Sequence, residues 1–364
     1  MLIDFFMFIT IIILYNQLSC LFRERVMDIK LTLEQAVGQV LMVNPDTKVF
    51  GESPKLNYVC EKFSPGAFII FQYCIESIEQ IRKLNINLVK NCKINPLISV
   101  DIEGGRVNRF KDILPGIGTL SAKQMAELGP DAVYTEACKI ASACDILEFT
   151  LNLGIVLDSD GVSKSIGQME RSFGIDPQIV YEYCKLFKTA HDERKIATCM
   201  KHFPGQGHIL ADAHENLIET GQPDPEELET FILAFNDESM GPFLMTAHTV
   251  VKSWDSKNPV TLSPIGISKI RDMGFDGVIL SDDIFMKGLS KFYSAEEIIT
   301  KFFNAGGDML LVGNSRLSKE LFGLNPLDFF DITLNLVKEG KIPEKRIFDA
   351  ANRIISAKES MSLL

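Results

Sequence analysis

Gly277-Val-Ile-Leu-Ser-Asp-Asp283 is an apolar run that ends on two adjacent carboxylates. A run this short, closed by polar residues, predicts a strand buried on both faces. Seven other stretches have the same form: 40–43, 67–71, 97–101, 154–158, 197–202, 243–248 and 309–313. Between them lie segments with helical signals. One spans 177–194 behind Asp176, with Pro177 at its start. Another spans 264–273, between Ser263 and Gly274. Proline just inside the start and glycine just past the end mark helix boundaries. Eight strand-then-helix units predict an α/β protein built as a single (β/α)8 TIM barrel. A doubly wound open sheet is the alternative, but no GxGxxG fingerprint follows an early strand.

No linker, repeat or composition shift interrupts residues 27–364, which are expected to form one catalytic domain. Residues 1–26 stand apart. They hold the apolar run FFMFITIIILY (5–15) and then Leu18-Ser19-Cys20, which resembles a lipoprotein cleavage site. The charges are on the wrong flank for a signal peptide, with Asp4 before the run and Arg23 and Arg25 after it. The run is also short for a membrane span. The expectation is therefore a cytoplasmic protein starting at Met27, with an exported lipoprotein anchored through Cys20 as the alternative.

The 364 residues are 46% hydrophobic and 23% charged, with a net charge of -11. That balance excludes a basic face for nucleic acid, so the ligand should be neutral or held by a few local cations. The eight cysteines form no CxxC pair and suggest neither a zinc knuckle nor a disulfide framework. They read as small buried hydrophobes in a reducing compartment.

In a barrel of this kind, chemistry sits at the carboxyl ends of the strands. That rule selects Asp101, Asp158, Lys201 with His202, His248, and Asp282 with Asp283. Polar residues at strand ends also serve simply as helix caps. Adjacent strand residues point opposite ways, so only one of Asp282 and Asp283 can face the barrel mouth. A nucleophilic carboxylate must stay ionised, and Lys201 and Arg171 are candidates for holding its pKa down.

The loop KHFPGQGHILADAH (201–214) gathers three of the five histidines. Within it Asp212 could orient the His214 imidazole for proton transfer, although a DxH pair also suits a plain surface turn. In Asp101-Ile-Glu-Gly-Gly-Arg-Val-Asn-Arg109, Asp101 suits a sugar hydroxyl, and Glu103 could pair with Arg106 on the rim. Arg171, in ERSFGIDP (170–177), could serve substrate or packing.

Taken together, DIEGGRV from Asp101, RSFGIDP from Arg171, KHFPGQG from Lys201, DAH from Asp212, MTAH ending at His248 and VILSDD ending at Asp283 resemble the family-3 glycoside hydrolases. The similarity is specifically to the single-domain β-N-acetylhexosaminidases that trim N-acetylglucosamine from peptidoglycan fragments, and it runs in order from about Leu31 to Asn314. The resemblance implies Asp282 as the nucleophile and His214, paired with Asp212, as the acid/base. It implies that Asp101, Arg171, Lys201 and His202 hold the sugar hydroxyls, and Arg109 joins them as a substrate-binding candidate. No metal or organic cofactor is implied. The partner would be a GlcNAc-containing muropeptide or chito-oligosaccharide, with no nucleic acid, and a membrane only if residues 1–26 are an anchor. Two positions depart from the family pattern: Gln206 replaces the histidine of KHFPGHG, and Ala213 the serine of DSH.

Rival readings remain. On the same fold they are an N-acetylglucosaminide phosphorylase, whose acceptor is phosphate, and a β-glucosidase. A metal-dependent TIM-barrel hydrolase would use His202, His208, His214 and Asp282 as ligands, although neither HxH nor HExxH occurs. A sugar-binding lipoprotein without catalysis is the non-enzyme reading.

Overall fold

Eight parallel strands carry the architecture: β1 (Leu41–Val43), β2 (Ala67–Ile69), β3 (Leu97–Val100), β4 (Leu151–Val156), β5 (Ala197–Phe203), β6 (Phe243–Thr246), β7 (Val278–Ser281) and β8 (Leu310–Val312). From β1 to β7 each strand pairs with the next, and β8 returns to β1 with Leu310 opposite Leu41. A parallel bridge between Leu280 and Met309 joins β7 to β8, so the sheet closes into the expected (β/α)8 barrel. This computed structural model describes residues 30–209 and 218–364, and Leu33–Leu364 form one compact unit. The apolar run at 5–15, Cys20, Met27, Asp212 and His214 lie outside the described residues. No helix among the described residues is long and apolar enough to cross a membrane.

Every residue of the eight barrel strands is buried, because side chains fill the barrel inside and helices cover it outside. The helices begin where their caps predict. Asp176 Oδ1 accepts from the amides of Gln178 and Ile179 at the head of Pro177–Asp192, and Ser263 Oγ accepts from Gly266 N at the head of Pro264–Asp272. Helix Pro225–Phe235 is held to β5 by rings: Phe203 lies 5.4 Å from Phe231 and 6.1 Å from Phe235. Such pairs add about 0.5–1.5 kcal/mol each beyond the area they bury.

The strands leave the ladder sooner than the apolar runs suggest. Asp101, Asp158, His248 and Asp282 all lie just past the end of a strand. β4 also starts earlier than expected, at Leu151 and not at Gly154. Asn152 is a polar residue inside that strand, and its amide explains why it can be buried there. Its Oδ1 accepts from Ile102 N at 3.0 Å, while Nδ2 donates to Ile102 O at 2.8 Å and lies 3.0 Å from His191 Nε2. At the other end of the barrel the buried Asp308 accepts from Arg271, Arg346 and Arg353 at 2.7–2.8 Å and from Ile279 N at 3.0 Å. It thereby ties two helices to the β7–β8 seam.

His191 makes this core sensitive to acid. Its Nδ1 donates to Phe187 O at 2.8 Å, which leaves Nε2 as the acceptor for Asn152. Burial pushes the imidazole down to about 4, so the unfolded chain takes up a proton first. The His191 contribution is complete above its ordinary value near 6.5 and is lost as pH falls toward 4, amounting to ~3 kcal/mol. Urea unfolding across that pH range should show this slope, and His191→Gln should flatten it.

Candidate active site

The mouth of the barrel is organised by a carboxylate that does not face substrate alone. Glu103, on the short hairpin formed by Ile102–Gly104 and Val107–Asn108, is 3% exposed. Arg171 grips it with two parallel bonds, Nε to Oε2 at 2.7 Å and Nη2 to Oε1 at 2.8 Å. Lys201, near the end of β5, places Nζ 2.6 Å from Glu103 Oε1 and donates to Asp101 Oδ1 at 3.1 Å. Burial alone would push the Glu103 carboxyl up, but Arg171 and Lys201 draw it well below the usual carboxylate range. Burial opposes the Lys201 charge, which Glu103 and Asp101 outweigh, so its pKa is raised. Glu103 is therefore not the rim partner of Arg106 that its sequence position suggested. Arg106 is exposed and rests beside Met169 Sδ at 3.4 Å.

His202 is set by a second carboxylate. Fully buried Asp158 accepts from His202 Nδ1 at 2.6 Å and from the backbone amides of His202 and Gln206, the latter at 2.8 Å. With Nδ1 committed, Nε2 is the ring nitrogen left toward Arg171, whose Nη2 is 3.5 Å away. Asp158 is thus a positioning residue and does not line the main cavity. His248 also works from behind: Nε2 donates to Asp283 O at 3.1 Å and Nδ1 meets Thr261 Oγ1 at 2.9 Å.

The two adjacent carboxylates after β7 have different surroundings. Asp283 accepts three backbone amides, from Phe285 (3.1 Å), Gly313 (3.3 Å) and Asn314 (3.0 Å), which lock the β7 and β8 loops together. A Cβ at Gly313 would stand 2.6 Å from Asp283 Oδ2, so only glycine leaves room for that contact. Burial pushes the Asp283 carboxyl up to about 7. Asp282 Oδ1 accepts only the Asp283 amide, at 2.7 Å, and Oδ2 accepts no hydrogen bond among the described residues. Burial would raise Asp282 as well, but His202, His248, the Asp283 amide and Lys201 together hold it below the ordinary value. Arg171, the other cation expected to do this, is committed to Glu103.

These groups open into a cavity of about 650 Å³, within the size range of small-ligand sites. Asp101, Arg109, Arg171, Lys201, His202 and Asp282 all line it, whereas the candidates Asp158 and His248 do not. Phe71, Met245 and Phe285 supply apolar surface. Arg109 Nη2 is 3.7 Å from Asp101 Oδ2, and its buried Nε has no partner among the described residues. His208 faces a separate small cavity with Asp224 and Glu227, so His202, His208 and Asp282 do not converge on one metal.

The family described as "Glycosyl hydrolase family 3 N terminal domain" matches residues 32–357. A β-hexosaminidase of Haemophilus influenzae strain Rd is 32% identical over 271 residues, 69% of this chain and 73% of that protein. One of Neisseria gonorrhoeae strain NCCP11945 is 35% identical over 267 residues, 68% of this chain and 71% of that protein. Among solved structures, a family 3 β-N-acetylglucosaminidase from Paenibacillus sp. FPU-7 superposes with a TM-score of 0.79 at 27% identity, covering 92% of this chain and 63% of that one. A β-N-acetylhexosaminidase from Beutenbergia cavernae shares the fold, with a TM-score of 0.77 at 22% identity over 91% of this chain and 99% of that one. The chain belongs to glycoside hydrolase family 3, and it is a glycosidase.

Glu103 was missed as a site organiser because its partners lie far along the chain. Replacing it would leave Arg171 and Lys201 buried against each other. Removing one partner from such a network costs about 3–5 kcal/mol. Glu103→Gln should lose stability on that scale in urea denaturation, and an unchanged midpoint would contradict the role assigned to it.

Proposed function

We propose that the protein is a retaining exo-β-N-acetylglucosaminidase that acts on GlcNAc-containing muropeptides or chito-oligosaccharides. The observation that carries this reading is the contrast at the end of β7: Asp283 is consumed by backbone amides, while Asp282 is held ionised with one oxygen free toward the cavity. The β-hexosaminidase relatives and the Paenibacillus β-N-acetylglucosaminidase support the substrate class.

In the first displacement Asp282 Oδ2 bonds to the anomeric carbon as the glycosidic C–O bond breaks, and the leaving oxygen takes a proton from His214. In the second, His214 removes a proton from water as the new C–O bond forms and the bond to Asp282 breaks. Two inversions give retention. Asp212 orients His214 and stabilises its imidazolium. Asp101, Lys201, Arg171, His202 and Arg109 grip the hydroxyls of the non-reducing sugar. An imidazole acid avoids placing a second negative charge beside Asp282, whose ionisation it would oppose.

Hydrolysis of 4-nitrophenyl N-acetyl-β-glucosaminide tests the nucleophile. Asp282→Ala should lose roughly a thousandfold or more in kcat, and undiminished turnover would remove the assignment. His214→Ala should lose most on substrates with poor leaving groups and least on activated aryl glycosides, because only the former need the proton. An equal loss across both would sink the acid/base role.

A further inference from the structure

Beside the main cavity lies a smaller one of about 180 Å³, bounded by the 204–209 loop and the start of helix Pro225–Phe235. His208, Asp224 and Glu227 line it, and each brings one potential ligand atom to within 4.8 Å of the others. His208 Nδ1 stands 3.5 Å from Asp224 Oδ2, 3.7 Å from Glu227 Oε2 and 3.2 Å from Ser159 Oγ. The glycosidase reaction uses none of these groups.

Both carboxylates have one oxygen occupied and one left over. Asp224 Oδ1 caps the helix, accepting from Glu226 N at 3.0 Å and Glu227 N at 3.1 Å. Glu227 Oε1 accepts from Gly207 N at 2.6 Å and Ser159 N at 3.1 Å. Its Oε2 accepts no N–H or O–H hydrogen bond among the described residues, although Glu227 is only 1% exposed. Glu227 lines the small cavity, where the His208 ring meets this oxygen at 3.7 Å. Among the described residues no lysine or arginine pairs with Asp224 or Glu227, and the basic side chain they face is the His208 imidazole. The backbone makes room for Oε2: a Cβ at Gly205 would fall 2.7 Å from it.

We propose that His208, Asp224 and Glu227 form a binding site for a divalent cation of the Zn2+ type, with the fourth position open to water or Ser159 Oγ. Ligands bound tetrahedrally at 2.0–2.2 Å stand about 3.3–3.6 Å apart, close to the two separations from His208. A single nitrogen with two carboxylates suits zinc, whereas calcium calls for six to eight oxygens at longer range. The cation would act as a brace and not as a reactant. Glu227 holds the amides of Gly207 and Ser159, which follow the Lys201–His202 segment and Asp158 in the chain, so filling the site stiffens the support of His202 from behind.

The test uses the full chain, stripped with chelator and titrated with Zn2+ by calorimetry and by thermal unfolding. The expected result is saturable binding of one equivalent with a raised Tm. It should weaken roughly tenfold or more in His208→Ala and in Asp224→Asn and persist in Asp282→Asn. His208 is partly exposed, so its truncation leaves the fold intact. Absence of saturable binding, binding unaffected by His208→Ala, loss of binding in Asp282→Asn, or binding of Ca2+ but not Zn2+ would each overturn the proposal.

Discussion

The site depends on one buried carboxylate, Glu103, and the two cations it holds together. Arg171 comes from the loop after β4 and Lys201 from β5, yet both end on the same side chain from the loop after β3. In gross terms the Coulomb attraction between such close, buried charges is large. Desolvating each ion costs several kcal/mol, so the network adds little to net stability. Its value lies in position. The guanidinium and the ammonium are fixed before substrate arrives, and neither is free to collapse onto Asp282.

The same device recurs around the mouth. Asp158 fixes the tautomer of His202 and two backbone amides of its loop. Asp283 fixes the loops after β7 and β8. Glu227 fixes Gly207 and Ser159. In each case a carboxylate spends its oxygens on backbone N–H groups. Loops between strands and helices are otherwise the mobile part of a barrel. These carboxylates tie the loops down, and Asp101, Lys201, His202 and Asp282 line the cavity beside them.

This division explains what the sequence made legible. The eight apolar runs were readable because continuous burial leaves a local mark, and the polar residues ending them were readable because barrel geometry puts strand ends at the mouth. Asn152 hid the start of β4, since a polar residue breaks the apolar pattern unless its partners are known, and those partners, Ile102 and His191, are about 50 and 39 positions away. Glu103 was misread for the same reason: Arg106 is near in sequence, but the real partner, Arg171, is 68 residues on. Asp158 was found by position, yet its function as the holder of His202 depended on a contact across 44 residues.

The choice between Asp282 and Asp283 shows why such contacts matter for chemistry. As adjacent residues they have the same side chain and nearly the same depth, so neither composition nor periodicity separates them. What separates them is the supply of hydrogen-bond donors. Three amides converge on Asp283 and tie it to the backbone, while Asp282 receives one and faces imidazoles and an ammonium instead. An amide cluster fixes a carboxylate in place. The imidazoles and the Lys201 ammonium around Asp282 favour its ionised form while leaving an oxygen bare, and that is the condition an attacking carboxylate needs.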